Sequence, residues 1–335
     1  MSIAVLRSLA DWSARFGMES RPSVVAIGNF DGIHLGHQKI LKEVVQKARN
    51  KGSLAAAVTF DPHPLCVLRP ADAPALISTL DQRIAMMDAL GLDAILVLNF
   101  DLELSRLSPE EFVQKILVDG LHVCAVLVGD NFRFGHRQAG DTRLLAELGR
   151  RLSFVVETIA PVKFRGQVIS SSGIRQAIRE GRLGLAARWL GRPFSLTGIV
   201  RTGTGQGRQV VVPTLNLETT QELLPHTGVY ATETCVDSTV YRSATNVGYR
   251  PTFDGKRLTI ESHLFDFSRE VTAGPIEVRF CARLRDEQKF PSIDALRAQV
   301  DRDLLRTQKF FRRVDHLLAA PLKHTSTALL PKFHQ

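Results

Sequence analysis

The 335-residue sequence is 44% hydrophobic and 23% charged, which is typical of globular proteins and excludes a disordered or fibrous chain. The chain is longer than one ordinary hydrophobic core requires, so we expect two domains. It carries 43 Lys and Arg against 34 Asp and Glu, and the net charge of +9 suits anionic partners. Because the basic residues are interspersed with acidic ones, the sequence favours phosphorylated small molecules over nucleic acid.

No membrane segment or secretory signal is expected. No apolar run approaches the roughly 18–20 residues that a membrane helix requires. The N-terminal apolar stretch is broken by Arg7 and Asp11, and no cleavage site of small residues follows it. The four cysteines lie far apart without a C-x-x-C pair, which fits neither a zinc site nor a disulfide framework. These features predict a reduced cytoplasmic protein.

The first 190 residues alternate between short apolar runs and helical patterns. Ser108-Pro109-Glu110-Glu111 forms a capping box with proline at the first helical position, so a helix is expected to begin there. Further helices are predicted over 38–52, over 79–90 and from 141. Strands are predicted at 23–30, 54–60, 94–100, 124–132 and 153–159. This alternation predicts an α/β fold with a mostly parallel sheet covered on both faces.

From about residue 194 the pattern changes to short alternating runs at 194–200, 228–236, 258–267 and 276–284. Gly, Pro, Asp and Asn separate these runs, which predicts an antiparallel sheet or small barrel. One helix follows, capped by Ser292. Its buried stripe is predicted to consist of Ile293, Leu296, Val300, Leu304 and Phe311. The predicted organisation is therefore a domain over 1–190, a second over 191–320 and a tail over 321–335.

The string GNFDGIHLGH, residues 28–37, lies between a predicted strand and a predicted helix. His34 and His37 would face the same side of the helix start, beside its free N–H groups and the positive end of its dipole. Gly36 between them would let a phosphate approach the backbone. Such a site could bind a triphosphate and neutralise charge as the α-phosphate is attacked, without a covalent nucleophile. Polar residues satisfied at a helix start, or zinc ligands lacking a close third partner, are the alternatives.

A second string, SSSGIR, follows an apolar run and opens another predicted helix. Hydroxyl and N–H groups at a helix start, with Arg175 one turn further on, could form a second anion site. By itself this string would be an ordinary helix cap. The serines that we assign to this site are Ser170, Ser171 and Ser172.

Together, GNFDGIHLGH and SSSGIR resemble the HxGH nucleotidyltransferase superfamily, which has a Rossmann-like fold. TFDPHP at 59–64 and VGDNFRFG at 128–135 narrow the resemblance to the adenylyltransferase half of bacterial bifunctional riboflavin kinase/FAD synthetases. The resemblance implies that His34 and His37 contact the ATP phosphates and stabilise the transition state, while Arg175 and the serines hold the β- and γ-phosphates. Other ATP- or flavin-binding residues implied in this half are Gly28, Phe30, Asp31, Gly36, Asp61 and Asn131.

The resemblance extends through the second half. A glycine-rich turn beginning at Gly198 matches the opening pattern of the family kinase, and Gly203, Gly207 and Arg208 would bind ATP there. A plain hairpin loop is the alternative interpretation of this turn. Pro213-Thr214-Leu215-Asn216 resembles the family's P-T-A-N element, in which Thr214 would ligate Mg²⁺ and Asn216 would help organise the metal and phosphate.

The stretch 246–253 matches the family's N-I-G-x-R-P-T-F, and Glu261 takes the place of the family's general base. It would accept the proton of the riboflavin 5′-hydroxyl as that oxygen attacks the γ-phosphate. Without the resemblance, a glutamate in an alternating strand would be expected to face solvent. Val211, Val212 and Leu215 depart from the family pattern, and residues 270–273 replace the family's D-L-Y-G. The bulk of Val211 and Leu215 could crowd the kinase nucleotide, or neighbouring changes could accommodate it.

The predicted function is a bifunctional enzyme: riboflavin and ATP give FMN and ADP, and then FMN and ATP give FAD and pyrophosphate. Mg²⁺ is the expected cofactor, and ATP, riboflavin and FMN are the expected partners. A monofunctional FAD synthetase with a degenerate kinase domain is the first alternative. A nucleotide- or nucleic-acid-binding protein without turnover is the second. The sequence does not determine the oligomeric state.

Overall fold

The computed structural model describes residues 2–17, 21–201, 213–252 and 255–319. The chain divides into two compact units between Ser171 and Ser172. The sequence places the change of architecture later, at residue 190, and that boundary stays a prediction. The predicted tail, 321–335, lies outside the described residues. Within the part of the chain that the structure describes, no helix is both long and apolar enough to cross a membrane.

The first unit contains a six-stranded sheet in the order β1-β4-β3-β2-β5-β6, and every neighbouring pair is parallel. Its strands are β1 (Ala4–Leu6), β2 (Ser23–Ile27), β3 (Leu54–Asp61), β4 (Ala94–Asn99), β5 (Val123–Gly129) and β6 (Val155–Ile159). A two-stranded ribbon, β7 (Lys163–Phe164) with β8 (Gln167–Val168), follows. The predicted parallel sheet is confirmed.

Helices cover both faces of this sheet. They are α1 (Leu9–Phe16), α2 (Leu35–Lys51), α3 (Pro64–Leu68), α4 (Leu80–Ala89), α5 (Pro109–Phe112), continued as a π-helix over Val113–Gly120, and α6 (Thr142–Arg151). Side chains of α1, α5 and α6 pack on one face, and side chains of α2 and α4 pack on the other. Val24 and Val25 point to opposite faces and both are fully buried. Burial on both faces explains why the strands are continuous apolar runs.

The N-terminal segment forms two elements that the sequence patterns do not predict. Strand β1 pairs in parallel with β4 at the edge of the sheet. Helix α1 begins after Ser8, whose hydroxyl accepts the Asp11 N–H, and it buries Trp12 and Phe16. A three-residue strand is too short for its periodicity to be recognised, so only its pairing partner defines it. The predicted capping box at Ser108 is confirmed, with both of its hydrogen bonds present.

Helix α7 (Ser171–Arg179) starts at the last residue of the first unit, and its remaining residues open the second unit. Helix α8 (Leu183–Leu190) and a closed barrel follow. The barrel order is β10-β13-β12-β11-β14-β9, and every recorded pairing is antiparallel. Its strands are β9 (Phe194–Arg201), β10 (Leu215–Glu218), β11 (Gly228–Val236), β12 (Thr239–Thr252), β13 (Gly255–Leu264) and β14 (Pro275–Arg285). The predicted small antiparallel barrel is confirmed.

Helix α9 (Ile293–Ala319) follows the barrel and packs on β11, β12 and β14. Ser292 caps it as predicted, because its hydroxyl accepts the Ala295 N–H at 3.2 Å. The predicted buried stripe is wrong at Ile293, which is 56% exposed, while Leu296, Val300 and Leu304 are half-buried and Phe311 is buried. The other buried positions of the helix are polar: Gln299, Asp303 and Thr307. The reason is a polar contact with the barrel, since the Asp303 carboxylate lies 2.7 Å from the Arg285 guanidinium of β14.

Candidate active sites

The predicted adenylyltransferase residues of the first unit lie along the carboxyl edge of the parallel sheet. Strand β2 stands between β3 and β5, so the loop that follows it lies between the ends of those two strands. The string 28–37 follows β2, Asp61 ends β3, and Asn131 lies in the turn after β5. Ligands of open α/β sheets bind at this edge. Asn131 is exposed, and its Oδ1 would lie 3.3 Å from a Cβ added to Gly129.

The loop after β2 has a strained backbone that its surroundings hold in place. Phe30 and Ile33 have positive φ values of 47° and 37°, which residues other than glycine rarely adopt. Gly32, with φ of 76°, donates its N–H to the Ser78 hydroxyl at 2.9 Å. Ser171 donates its hydroxyl to the Asp31 carbonyl at 2.9 Å. These contacts come from segments distant in sequence, so the tertiary fold fixes the loop.

Two residues predicted to bind ligand, Phe30 and Asp31, are each only 2% exposed. The Asp31 carboxylate accepts the backbone N–H groups of Ile77 and Ser78 at 3.0 and 3.1 Å. The Phe30 ring packs edge-on against the His37 ring, with 5.3 Å between centroids. Their observed contacts therefore support the loop and the histidine.

His34 is the N-cap of α2. Its Nδ1 accepts the N–H groups of Gly36 and His37 at 3.1 and 3.3 Å, so the proton of the neutral ring lies on Nε2. This differs from the expectation that the first amides of the helix are free for a phosphate, because His34 itself satisfies two of them. An added Cβ at Gly36 would lie 3.0 Å from the His34 ring, so any larger residue here would require that ring to shift.

His37 stacks on His34, with ring centroids 3.7 Å apart and planes inclined by 18°. Burial, and secondarily the neighbouring His34, lowers the pKa of His37 well below its ordinary value of 6.5. The His37 Nδ1 is buried and has no hydrogen-bond partner within the described residues. The paired imidazoles are thus held close together, with His37 uncharged at neutral pH.

The end of β3 adds residues that the sequence analysis missed. The Asp61 carboxylate lies 3.9 Å from Arg83 on α4 and 3.9 Å from Arg7. His63 caps α3 through Nδ1, which accepts the Leu65 N–H at 3.2 Å. The His63 Nε2 lies 3.2 Å from the side-chain amide of Asn29. The position of Asn29 inside the 28–37 string is the one local signal that could have identified it.

Of the second string, Ser170 and Ser171 belong to the first unit, and Ser172 and Arg175 belong to the second. Ser170 is half-buried, Ser172 is exposed, and the Arg175 side chain on α7 is 9% exposed. The assignment of Arg175 and these serines to the β- and γ-phosphates of ATP stays a prediction.

In the second unit the structure brings the predicted kinase residues Asn216 and Glu261 together. They are directly opposite each other across β10 and β13, and Glu261 is also opposite Asn246 across β13 and β12. Opposite residues of an antiparallel pair share one face of the sheet, so the three side chains form a row. Glu261 is half-buried, and its Oε1 is fully buried. Thr214 directly precedes β10.

The opposite face of the same strands carries a chain of buried hydroxyl groups. Ser262 lies 2.7 Å from Thr245, and Thr245 lies 2.6 Å from Thr232. Leu215 is opposite Ser262, so it belongs to this face and not to the face of Asn216 and Glu261. Its bulk therefore points away from the predicted catalytic row. Val211 and Val212, with the predicted ATP-binding residues Gly203, Gly207 and Arg208, lie outside the described residues.

The predicted metal ligands are consistent with Mg²⁺ in their chemistry. Thr214 offers a hydroxyl oxygen and Asn216 a carboxamide oxygen, next to the Glu261 carboxylate, and Mg²⁺ prefers oxygen ligands of this kind. Within the described ranges, no group of three or more His, Cys, Asp or Glu side chains is arranged to hold a metal ion, and none therefore surrounds His34 and His37.

Two family models match the two halves of the chain. The FAD synthetase model matches residues 17–173, and the riboflavin kinase model matches residues 190–311. The chain thus combines a flavin adenylyltransferase of the nucleotidyltransferase class with a flavin kinase. The string 28–37 falls within the first match, and the string 170–175 extends beyond its last residue, 173. Thr214, Asn216 and Glu261 fall within the second match.

The names of curated relatives combine both activities. The Pseudomonas fluorescens protein called bifunctional riboflavin kinase/FMN adenylyltransferase is 37% identical to this chain, and the match covers 91% of this chain and 96% of the relative. The Haemophilus influenzae protein of the same name is 35% identical, and the match covers 86% of this chain and 94% of the relative. The Escherichia coli K12 relative of the same name is 34% identical, and the match covers 86% of this chain and 92% of the relative. The chain belongs to this family of bifunctional riboflavin kinase/FMN adenylyltransferases, as the sequence motifs predicted, and it is an enzyme with both activities.

A solved structure from Streptococcus pneumoniae, described as a macrolide-efflux protein, has a TM-score of 0.80 to this chain. It is 29% identical and covers 86% of this chain and 94% of its own. The likeness supports the fold. The presence of both family matches favours the bifunctional enzyme over a monofunctional FAD synthetase and over a binding protein without turnover.

Proposed function

We propose that residues 1–190 form the module that transfers AMP from ATP to FMN, and that residues 191–320 form the module that phosphorylates riboflavin. The observation that carries the first assignment is the stacked pair of His34 and His37 at the start of α2, on the carboxyl edge of the sheet. The observation that supports the second is the row of Asn216, Glu261 and Asn246 across three barrel strands.

In the adenylyl transfer, a phosphate oxygen of FMN attacks the α-phosphorus of ATP, and the bond to pyrophosphate breaks. Because His34 keeps its proton on Nε2, that N–H can donate to a phosphate oxygen as negative charge develops. We assign the same role to His37, and we assign Arg175 with Ser170, Ser171 and Ser172 to the leaving phosphates. Asp61, Asn131, Gly28 and Gly36 line the nucleotide and flavin site, while Phe30 and Asp31 support it from the interior.

In the kinase reaction, Glu261 accepts the proton of the riboflavin 5′-hydroxyl while that oxygen attacks the γ-phosphorus, and ADP leaves. Thr214 and Asn216 would hold Mg²⁺, which neutralises charge on the phosphates when it is bound. Gly203, Gly207 and Arg208 would contact ATP from the glycine-rich turn. His263, two residues beyond Glu261, holds the turn before β10 because its Nδ1 lies 2.9 Å from the Pro213 carbonyl oxygen.

We also propose a cytoplasmic location, where ATP and riboflavin are available. The four cysteines are free thiols, which suits a reducing compartment.

The test uses one protein preparation and separates the flavins formed from riboflavin, ATP and Mg²⁺. The unmodified protein should form FMN and FAD. His37→Ala should accumulate FMN and slow the FAD step by about 10²–10³. Glu261→Gln should form no FMN from riboflavin yet convert supplied FMN to FAD, because an amide cannot accept the hydroxyl proton.

Each variant serves as the folding control of the other, because the two substitutions lie in different modules. Loss of both activities in either folded variant would show that the assignment of reactions to modules is wrong. If the unmodified protein forms FAD from FMN but no FMN from riboflavin, it is a monofunctional FAD synthetase.

A further inference from the structure

Arg83 on helix α4 is an arginine buried beneath the adenylyltransferase loop. Arg83 as a whole is only 4% exposed. Its Nη1 donates to the Asn29 carbonyl oxygen at 3.0 Å and to the Thr59 hydroxyl oxygen at 3.2 Å. Its Nη2 lies 3.9 Å from the Asp61 carboxylate. One side chain therefore connects the loop after β2 with the last residues of β3.

Burial of this guanidinium is costly, and the surroundings compensate only in part. Desolvation lowers the pKa of Arg83, while the carboxylates of Asp31 and Asp61 act in the opposite direction. The Nε atom is buried and has no hydrogen-bond partner within the ranges that the structure describes. A buried charge paired this loosely adds little to stability. The position of Arg83 against the loop after β2 instead indicates a contribution to the adenylyltransferase site.

The Asn29 carbonyl that Arg83 holds precedes a strained residue. The peptide plane between Asn29 and Phe30 turns with the φ angle of Phe30, which has the positive value of 47°. The Thr59 hydroxyl donates to the same carbonyl at 3.2 Å, so two donors fix this plane. Four residues further on, the loop reaches His34, where the imidazole pair begins. Strained backbone of this kind persists only where its surroundings over-determine it.

We propose that Arg83 is a positioning residue for adenylyl transfer. It holds the Asn29 carbonyl, and thereby the loop that aligns His34 and His37, and it places positive charge behind Asp61. This inference rests on the proposed function, in which the two histidines stabilise the transition state. A residue that aligns such groups affects the chemical step more than the binding of FMN or ATP, because misalignment weakens contacts made in the transition state.

The test measures FAD formation from FMN and ATP, with riboflavin phosphorylation by the same preparation as the internal control. Arg83→Met keeps most of the side-chain volume and removes the donors. It should lower kcat for FAD formation at least about tenfold and change the KM values by less than about threefold. Arg83→Lys, which keeps a charge and a donor, should recover most of the lost kcat. Thermal melts monitored by the fluorescence of the two tryptophans, Trp12 and Trp189, ensure that every assay is run on folded protein.

Arg49→Met is the matched control in the same unit. Arg49 pairs with Asp93 at 2.7 Å, beside the amino end of β4, away from the loop after β2. This variant should lose stability and keep its kcat. The inference is overturned if folded Arg83→Met keeps its kcat within about twofold, if Arg83→Lys is no better than Arg83→Met, or if Arg49→Met loses as much kcat.

Thr59→Val provides a second route if Arg83→Met does not fold. Valine keeps the shape of threonine and removes the other donor to the Asn29 carbonyl. A fall in kcat for FAD formation of about threefold or more would support the inference, and an unchanged kcat would overturn it. Failure of the proposed function would be visible separately, because the unmodified protein would then form no FAD from FMN, and this inference would fail with it.

Discussion

Gly36 lies between the two histidines, and its replacement by alanine separates helix stability from catalysis. Alanine is favoured over glycine inside a helix by about 1 kcal/mol. The added Cβ, however, would lie 3.0 Å from Cε1 and 3.1 Å from Nδ1 of His34, closer than the roughly 3.5–4.0 Å of normal contact. The His34 ring must therefore move by a few tenths of an ångström.

That movement disturbs the cap and the imidazole pair together. His34 Nδ1 accepts two amides at 3.1 and 3.3 Å, and losing a cap costs about 1 kcal/mol. The gain in helix propensity and the weakened cap nearly cancel, so the free energy of unfolding should change by less than about 1 kcal/mol. FAD formation should nevertheless fall by about 10–100-fold, because the two rings that we propose to stabilise developing charge are displaced.

The assay compares FAD formation from FMN with riboflavin phosphorylation in Gly36→Ala, and the second rate should not change. Gly184→Ala is the matched control, because an added Cβ on this α8 glycine meets no atom within 4 Å. It should stabilise the protein by up to about 1 kcal/mol and leave both rates unchanged. Full FAD synthesis by Gly36→Ala would refute the role assigned to the position of His34.

Three further outcomes are expected. Because burial lowers the pKa of His37, the unfolded chain binds a proton that the native state does not, so stability should fall as the pH drops below 6.5. His37→Asn should weaken that dependence in thermal melts, and an unchanged dependence would contradict it. Leu215→Ala should leave the kinase KM for ATP unchanged, because this side chain faces the buried hydroxyls. It should lower the free energy of unfolding, measured with denaturant, by about 1–3 kcal/mol. A lower KM would show that the bulk of Leu215 obstructs the nucleotide. Asp303→Ala should destabilise the protein by about 2–3 kcal/mol, since it leaves the half-buried Arg285 guanidinium without its carboxylate. A change below about 1 kcal/mol would contradict this reasoning.

The amino-acid sequence by itself determined the two architectures and indicated candidate residues for both reactions. Continuous apolar runs alternating with helical patterns predict a parallel sheet with two covered faces, and alternating runs predict an antiparallel barrel, because side-chain burial follows backbone periodicity. The strings around His34, Thr214 and Glu261 placed the candidate residues at element ends and on a barrel strand. Those signals lie within a few neighbouring residues of the chain.

Only the tertiary structure decided which polar groups are buried and what they contact. Arg83 occupies a helical position that its local sequence does not distinguish, yet it contacts the Asn29 carbonyl 54 residues away. The packing face of α9 carries Asp303 because Arg285 of a distant strand requires a counter-charge. His34 was predicted at the helix start, but its hydrogen bonds to two amides depend on the observed ring position. A buried polar side chain is stable only where a partner meets it, and the folded chain, not local periodicity, supplies that partner.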